Sequence, residues 1–439
     1  MAQTKCLETT AEHANWASLE PLVLTPPSSN CEVCVIVPAR DEAENLSATL
    51  NALAQQVDLQ GQPFDRELYE IILLANNCSD DSAQFARRFA EQHSTLALHV
   101  VEITLPASEA YIGRVRKILM DEAYRRLTTL EHRRGVIAST DGDTKVAPDW
   151  IAATLQEIRK GADAVGGRIL TDRSERFALN RYARLCHLQE VGYRYLVAEL
   201  EAYLDPDPYD YWPRHYQHFG ASLAVTTQMY EQVGGLPDVR TPEDVAFYKA
   251  LLRVDARFRH SPHVRVVTSA RQVGRAKNGL ANQLSEWAKM AHQHQPFLVE
   301  PPAVTEASLH ARRQLRVLWW QSQMGHQPSE SDIAQIAAKL GVEMKWLTQE
   351  LQQSQTFGLL LEHATMGQKG NTSSDTQSVE IRQAIFELRV RLSHWRRGIE
   401  RPLNPLEQVQ PVLLLPPTSH VSQVRIGQSQ ERIVDLVAT

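Results

Sequence analysis

Thr140-Asp141-Gly142-Asp143-Thr144 follows directly on the apolar run Gly135–Ser139. Two carboxylates one residue apart, at the end of a short buried strand, can point into one crevice while Gly142 lets the backbone bend between them. Carboxylate oxygens suit hard divalent cations such as Mg²⁺ or Mn²⁺, which are typically shared with a substrate phosphate. Taken alone, the pattern is equally that of an Asp-Gly turn closing a loop. Two more polar segments occupy matching positions. Pro38-Ala39-Arg40-Asp41-Glu42-Ala43-Glu44-Asn45 opens a helix where the first strand ends, and Asn76-Asn77-Cys78-Ser79-Asp80-Asp81-Ser82 closes the second. Each could be an N-capped helix whose acidic residues suit its dipole. Together they place carboxylates at three successive strand ends, which points to one continuous site.

Further along the chain, Gly113-Arg114-Val115-Arg116-Lys117 begins a helix. Helix starts and arginine both favour phosphate; a solvated basic face is the plainer reading. Glu243-Asp244 begins another helix after Pro242, where a carboxylate could act as a general base or simply complement the dipole.

The elements that must hold these residues alternate. Val33–Val37, Ile71–Leu74, Leu96–Ile103, Val136–Ser139 and Ala164–Ile169 read as strands, separated by helical patterns at Asp41–Gln56, Asp81–His93, Gly113–Leu127 and Trp150–Lys160. That order predicts βαβ units and a mostly parallel central sheet with helices on both faces, whose ligands bind at the carboxyl ends of the strands. An insertion from about Thr171 to Phe219 follows, with an amphipathic helix and then an aromatic, proline-rich stretch from Tyr203. Two more strands are expected near Ser222–Thr226 and Val264–Thr268, and the chain beyond Pro301 reads as helical. The predicted organisation is a polar extension over 1–30, an α/β catalytic domain over 31–295, a helical domain over 296–365, a flexible linker over 366–378, and a helix with an irregular tail over 379–439. Leu413-Leu414-Leu415-Pro-Pro in that tail has no evident place.

These motifs, in this order, resemble the inverting family 2 glycosyltransferases of GT-A fold. VIVPARDEAENL, NNCSDDS, TDGDT and EDVAFYKAL (Glu243–Leu251) carry the resemblance, which covers about Cys31 to Gly279. The second motif departs from the commoner DDGS-type turn. The resemblance implies a GT-A type nucleotide-binding sandwich, a nucleotide-sugar donor and an acceptor hydroxyl on a saccharide, lipid or small molecule. It places Pro38, Arg40 and Glu42 near the nucleoside, Asp80 or Asn77 on the base, and Asp141 and Asp143 on the ribose and the metal, with Asp143 the more direct ligand. Asp244 would be the base, supported by Glu243. Gly220 and Ala221, bracketing the next strand with Val233-Gly234-Gly235-Leu236, would frame the acceptor pocket, with Trp212, His215 and His218 just upstream; packing of the insertion on the sheet competes with that role. After the last strand, His263 is a candidate metal ligand, and Arg271 and Arg275 are candidate phosphate contacts.

The bottom-up chemistry agrees, because a departing nucleoside diphosphate accumulates charge that a cation or arginine can stabilise. Two other functions remain open. A sugar-phosphate nucleotidyltransferase would need a Gly-rich, Lys/Arg-bearing loop after the first strand, where PARDEAEN stands. A non-catalytic nucleotide-sugar-binding regulator would use the helical tail for contacts.

At 439 residues, 43% hydrophobic and 22% charged, the chain reads as a soluble globular protein. A net charge of −6 argues against nucleic-acid binding. No apolar run reaches about 18 residues, so no spanning helix is expected, and residues 1–30 lack a secretion-signal pattern. Five cysteines are few and odd in number, which fits a reducing cytoplasm. Cys31-x-x-Cys34 runs into a strand, where positions i and i+3 face opposite ways, and is taken as structural. Asp332–Leu351 imitates a helix-turn-helix, but Glu343, Lys345 and Glu350 leave its second helix acidic, which suits packing rather than DNA. Leu309–Gln321 sets Arg312, Arg313 and Arg316 beside Leu315, Leu318 and two tryptophans. That suits a helix docked on the catalytic domain, with peripheral contact at the inner face of a membrane as the other reading.

Overall fold

The computed structural model describes residues 20–130, 135–274, 279–293, 295–368 and 378–396. An eight-stranded sheet forms its centre. The strands are β1 (Val33–Ala39), β2 (Tyr69–Asn76), β3 (Leu98–Ile103), β4 (Val136–Ser139), β5 (Thr144–Val146), β6 (Ala164–Thr171), β7 (Leu223–Thr226) and β8 (Phe258–Thr268), in the spatial order β3-β2-β1-β4-β7-β6-β8-β5. The neighbours β3, β2, β1 and β4 are mutually parallel. The expected α/β sandwich is present, but the sheet as a whole is mixed: β7 runs antiparallel to both β4 and β6, and β5 antiparallel to β8. Neither reversal leaves a trace in hydrophobic pattern, which reports burial and not direction.

Every residue of β1 and β2 is buried, the mark of strands covered on both faces. Alternation then sorts the side chains. Val33, Val35 and Val37 pack with α1 (Ala43–Ala54), α2 (Ser82–Gln92) and α4 (Trp150–Arg159). Cys34 and Ile36 pack with α3 (Ile112–Thr128), α7 (Thr227–Gln232) and α8 (Glu243–Arg253) on the other face. Cys31 joins Cys34 on this second face, contrary to the alternation argument, because it precedes the strand in a turn closed by its own N–H on the Ser28 carbonyl. Both thiols are free and buried. Burial, with Glu70 adding to it, pushes the Cys31 thiol up to about 12, so it is inert as a nucleophile.

The insertion folds as α5 (Arg173–Ala178) and the 24-residue α6 (Arg181–Leu204). Beyond β8 come α9 (Leu280–Gln293), α10 (Pro302–Gln323), α11 (Glu330–Leu340), α12 (Met344–Gln353), α13 (Phe357–Gln368) and α14 (Ile381–Arg396), with a small antiparallel pair, β9 (Leu298–Val299) and β10 (Val379–Glu380). Gly341 ends α11 in the left-handed conformation at φ 65°, which glycine adopts without steric cost. The helix-turn-helix look-alike is therefore a packed pair, with Ile336, Leu340, Leu347 and Leu351 in one core.

The basic helix α10 is docked. Arg312 donates to Asp205 and Glu201, Arg316 to Asp205, and Arg313 to the Leu204 carbonyl, while Leu315, Leu318 and Trp319 are buried. Its charges are used against the end of α6. No helix among the described residues is long and apolar enough to cross a membrane. Residues 369–377 of the expected linker, the tail from 397 and residues 1–19 of the extension lie outside the described residues.

Candidate active site

Two arginine-centred clusters meet at the Asp141-Gly142-Asp143 turn. The turn is tight: Thr144 N–H bonds the Asp141 carbonyl, and Thr140 N–H bonds Ile36 of β1. Gly142 nests against the first motif. A Cβ there would lie 3.2 Å from Glu42 Cγ and 3.3 Å from the Pro38 carbonyl oxygen, so a larger residue would press on the first motif.

The first cluster surrounds Arg116 of α3, only 3% exposed. Its Nε donates to Glu243 Oε1 and its Nη2 to Asp141 Oδ1, both at 3.0 Å. Nη1 serves the Ser139 hydroxyl and the Gly220 carbonyl. Burial alone would lower this guanidinium's pKa, but Asp141 and Glu243 more than offset that and leave it raised. Arg116 is thus an internal hub, not the phosphate contact expected from its place in the basic run, because its donors already face three strand and helix ends. Gly220 must be glycine here, since a Cβ would fall 2.4 Å from Arg116 Cζ. Glu243 is buried, and burial raises its pKa, with Asp244 adding and Arg116 opposing. Asp244 is partly exposed. Its Oδ2 accepts Gly220 N–H at 3.0 Å and its Oδ1 accepts Val245 N–H at 2.8 Å. Four sequence candidates, Arg116, Asp141, Glu243 and Asp244, therefore form one connected unit.

The second cluster surrounds Arg271, just beyond β8. Its Nη1 and Nη2 fork onto Glu42 at 2.9 and 2.7 Å, and Nη2 also lies 3.0 Å from Asp143 Oδ2. The loop is fixed from below by Glu175 of α5, which accepts both the Ser269 hydroxyl and Ala270 N–H. The short strand β5 pairs Thr144 with Thr268 and so brings Asp143 to this loop. The Asp143 side chain is 14% exposed. Burial, then its neighbour Asp141, pushes its carboxyl up to about 6, with Arg271 pulling the other way.

Across the two clusters, five carboxylates (Glu42, Asp141, Asp143, Glu243 and Asp244) face two guanidiniums. The surplus is negative, and it is felt most at Asp143. Asp141 and Asp143 offer carboxylate oxygens, the donor type hard divalent cations take, whereas the three metal-capable side chains whose ligand atoms converge among the described residues are Asp41, Cys78 and Asp80.

The remaining candidates are distributed as follows. Asp80 caps the first helix, accepting Ala43 N–H on Oδ2 and Ser82 N–H on Oδ1, while Ser82 Oγ accepts Glu42 N–H. The second motif thus braces the first. Asn77, at φ 48°, clamps Leu105 through both its amide groups, and its side chain faces the next loop rather than the cleft. Asp41, Ser79, Asp80 and Asp81 line one bank of an open cleft, with Ser269 and Arg271 on the other. Arg40 donates to the Ala110 carbonyl and Arg114 to Asp238 on the rim.

His263 is a correction. It is exposed on β8, five residues before Thr268, or about 16 Å along the strand, and is not near the carboxylates. Trp212 turns toward α6 and meets Tyr195 edge-on at 5.4 Å, which is packing. His218 stacks at 3.8 Å on Tyr248, one helical turn beyond Asp244, and burial, then His260, lowers it to about 3. It sits beside the candidate base as a neutral ring. His215 bonds the Ser261 carbonyl, and Ala221 is buried behind Gly220. Arg275 lies outside the described residues.

Residues 34–210 match the family model "Glycosyl transferase family 2". A curated relative, Glycosyltransferase AglE of Haloferax volcanii, is 27% identical over 160 residues, which is 36% of this chain and 46% of the relative. The chain therefore spans about half the length of that relative. Among solved structures, the mannosyltransferase PcManGT of Pyrobaculum calidifontis, in complex with GDP-Man and Mn²⁺, aligns with a TM-score of 0.36 at 19% identity, over 81% of this chain and 92% of its own. TarS 1-349 of S. aureus, in complex with UDP-GlcNAc, aligns with a TM-score of 0.40 at 11% identity, over 80% and 96%.

Proposed function

Because residues 34–210 match the glycosyl transferase family 2 model, we propose a metal-dependent, inverting transfer of a sugar from a nucleotide-sugar donor to an acceptor hydroxyl. The observation that carries this reading is the convergence of the ends of β1 and β4, the start of α8 and the loop after β8 on one patch of five carboxylates and two arginines.

In this reading the donor lies in the cleft between the first two motifs and Ser269–Arg271, with Glu42 and the Asp141 turn against its nucleoside and diphosphate. Asp143, with Asp141, would hold the cation, which when bound neutralises charge gathering on the departing diphosphate. Arg271 is the described arginine placed to add a second positive charge there. Asp244 faces the acceptor. Its carboxylate is oriented by the Gly220 and Val245 N–H groups at the start of α8. It takes the hydroxyl proton as the acceptor oxygen bonds to the anomeric carbon and the carbon–phosphate oxygen bond breaks. A single displacement of this kind inverts the configuration. Glu243 does not touch substrate; it holds Arg116, which holds Asp141.

The test begins with thermal shifts on UDP-, GDP- and dTDP-sugars, with and without Mn²⁺. Asp143→Ala should remove the cation-dependent part of nucleotide binding, and Asp244→Asn should remove turnover of the responding donor while leaving its binding within about threefold. Turnover by Asp244→Asn at the parent rate would disprove the base assignment.

A further inference from the structure

The Arg271 fork is asymmetric. Both Nη groups engage Glu42, whereas Asp143 shares only Nη2, the same nitrogen that already bonds Glu42 Oε1. Glu42 is 5% exposed and anchored at its own N–H by Ser82, so the fork has a fixed base. Asp143 is the partner that can be given up at the cost of one contact.

We propose that Arg271 is a resident counter-ion that occupies Asp143 in the cation-free protein and is exchanged for the divalent cation only when a nucleoside diphosphate offers its N–H group a new acceptor. This rests on the function proposed above. The physical reason is competition for one carboxylate oxygen. Arginine and a divalent cation repel one another across Asp143 Oδ2 and so compete for it, and a buried carboxylate without a positive partner is costly. Swinging away from Asp143 would leave Nη2 bonded to Glu42 with a free N–H, and a diphosphate oxygen is the natural acceptor for it because arginine recognises phosphate through planar, charge-assisted bonds. Cation and nucleotide then help one another to bind. The coupling is reciprocal and of the ordinary size for two linked ligands, about 5- to 150-fold.

The consequence is a site that ignores free cation and loads it together with the donor. That differs from a preformed carboxylate pair, which would bind free cation readily and owe its synergy only to the bond between the cation and the diphosphate. The arrangement also explains why Arg271 reaches across 229 positions to a glutamate at the other side of the cleft.

The experiment is calorimetric titration of Mn²⁺ into the full chain, alone and with saturating UDP or GDP. In the parent, nucleotide should tighten Mn²⁺ binding at least tenfold. In Arg271→Met, Mn²⁺ alone should bind about tenfold tighter than in the parent, and the enhancement by nucleotide should shrink by about the same factor, leaving the part that the cation–diphosphate bond itself supplies. Because that variant removes the guanidinium from the buried Glu42, which keeps its bond from Asn45 Nδ2, Arg271→Lys is measured beside it. Lysine leaves a charge for Glu42 but cannot fork across both carboxylates, so Mn²⁺ alone should again bind several-fold tighter. Parent-level Mn²⁺ affinity in both variants, each shown folded by circular dichroism, would overturn the proposal while leaving the transferase reading intact. A parent that binds neither nucleotide nor Mn²⁺ in any combination would sink both.

Discussion

Replacing Arg116 by methionine tests the hub directly. Its four partners can be separated by what they lose. Ser139 Oγ and the Gly220 carbonyl bond each other at 2.8 Å, so they keep a partner when the guanidinium goes. Asp141 is about a third exposed and can turn to water. Glu243 is only 4% exposed, and its Oε1 is left facing an apolar thioether. Removing one member of a buried ion pair costs about 3–5 kcal/mol, and nearly all of it should be assigned to Glu243. Glu243→Leu should cost less, because Arg116 keeps Asp141. The double variant Arg116→Met/Glu243→Leu replaces the pair by apolar groups and should lie within about 1 kcal/mol of Glu243→Leu alone. Urea unfolding followed by circular dichroism on the four proteins closes the cycle. Additive single effects, with a coupling below about 0.5 kcal/mol, would show that Arg116 and Glu243 are not a unit and refute the hub.

Two other predictions follow from groups remote from the cleft. His187 is buried against Trp287 with its Nε2 3.2 Å from Thr171 Oγ1, and burial, then Arg176, lowers its pKa to about 4. The fold therefore favours the neutral ring: that stability is fully present above the ordinary value near 6.5 and is lost as pH falls from there through about 4. The loss reaches about 3 kcal/mol at 1.36 kcal/mol per unit, and urea titrations at pH 7.5 and pH 4 should show this slope in the parent and not in His187→Gln. Asp205→Asn should loosen α10 from α6, because buried Asp205 holds both Arg312 and Arg316. A loss of about 2–4 kcal/mol should appear as several-fold faster proteolysis within residues 300–325, and unchanged cleavage would remove this contact from the docking account.

Much of the architecture could be read before the structure. The five leading strands and four leading helices fall within a few residues of the observed elements, because central strands are continuously apolar and the helices between them keep a regular apolar stripe. Where reading failed, the cause was polar residues buried by partners far away in sequence. β8 begins at Phe258, not Val264, since Arg259 and His260 look like surface residues until Asp210 is seen to bond both. β5 is three residues long and visible only through its pairing with β8. For the site, the carboxylates announced themselves by spacing, but their partners did not. Arg116 sits in a run of basic residues that resembles a solvated face, and nothing local distinguishes the one that points inward. Arg271 and Glu42 share no neighbourhood in the chain at all.

Helix α8 has so far been treated for its first turn, yet its last turn is equally fastened. Asp255 accepts Phe357 N–H and Gly358 N–H, Arg253 pairs with Glu362, and Gly358 lies so close that a Cβ there would collide with the Leu252 carbonyl. The helix is in effect an axle of about 16 Å with a bearing at each end. One bearing is the arginine hub. The other is the first turn of α13. Asp244 can neither slide nor rotate without disturbing both, so the alignment of the candidate base is set from two ends of the chain at once.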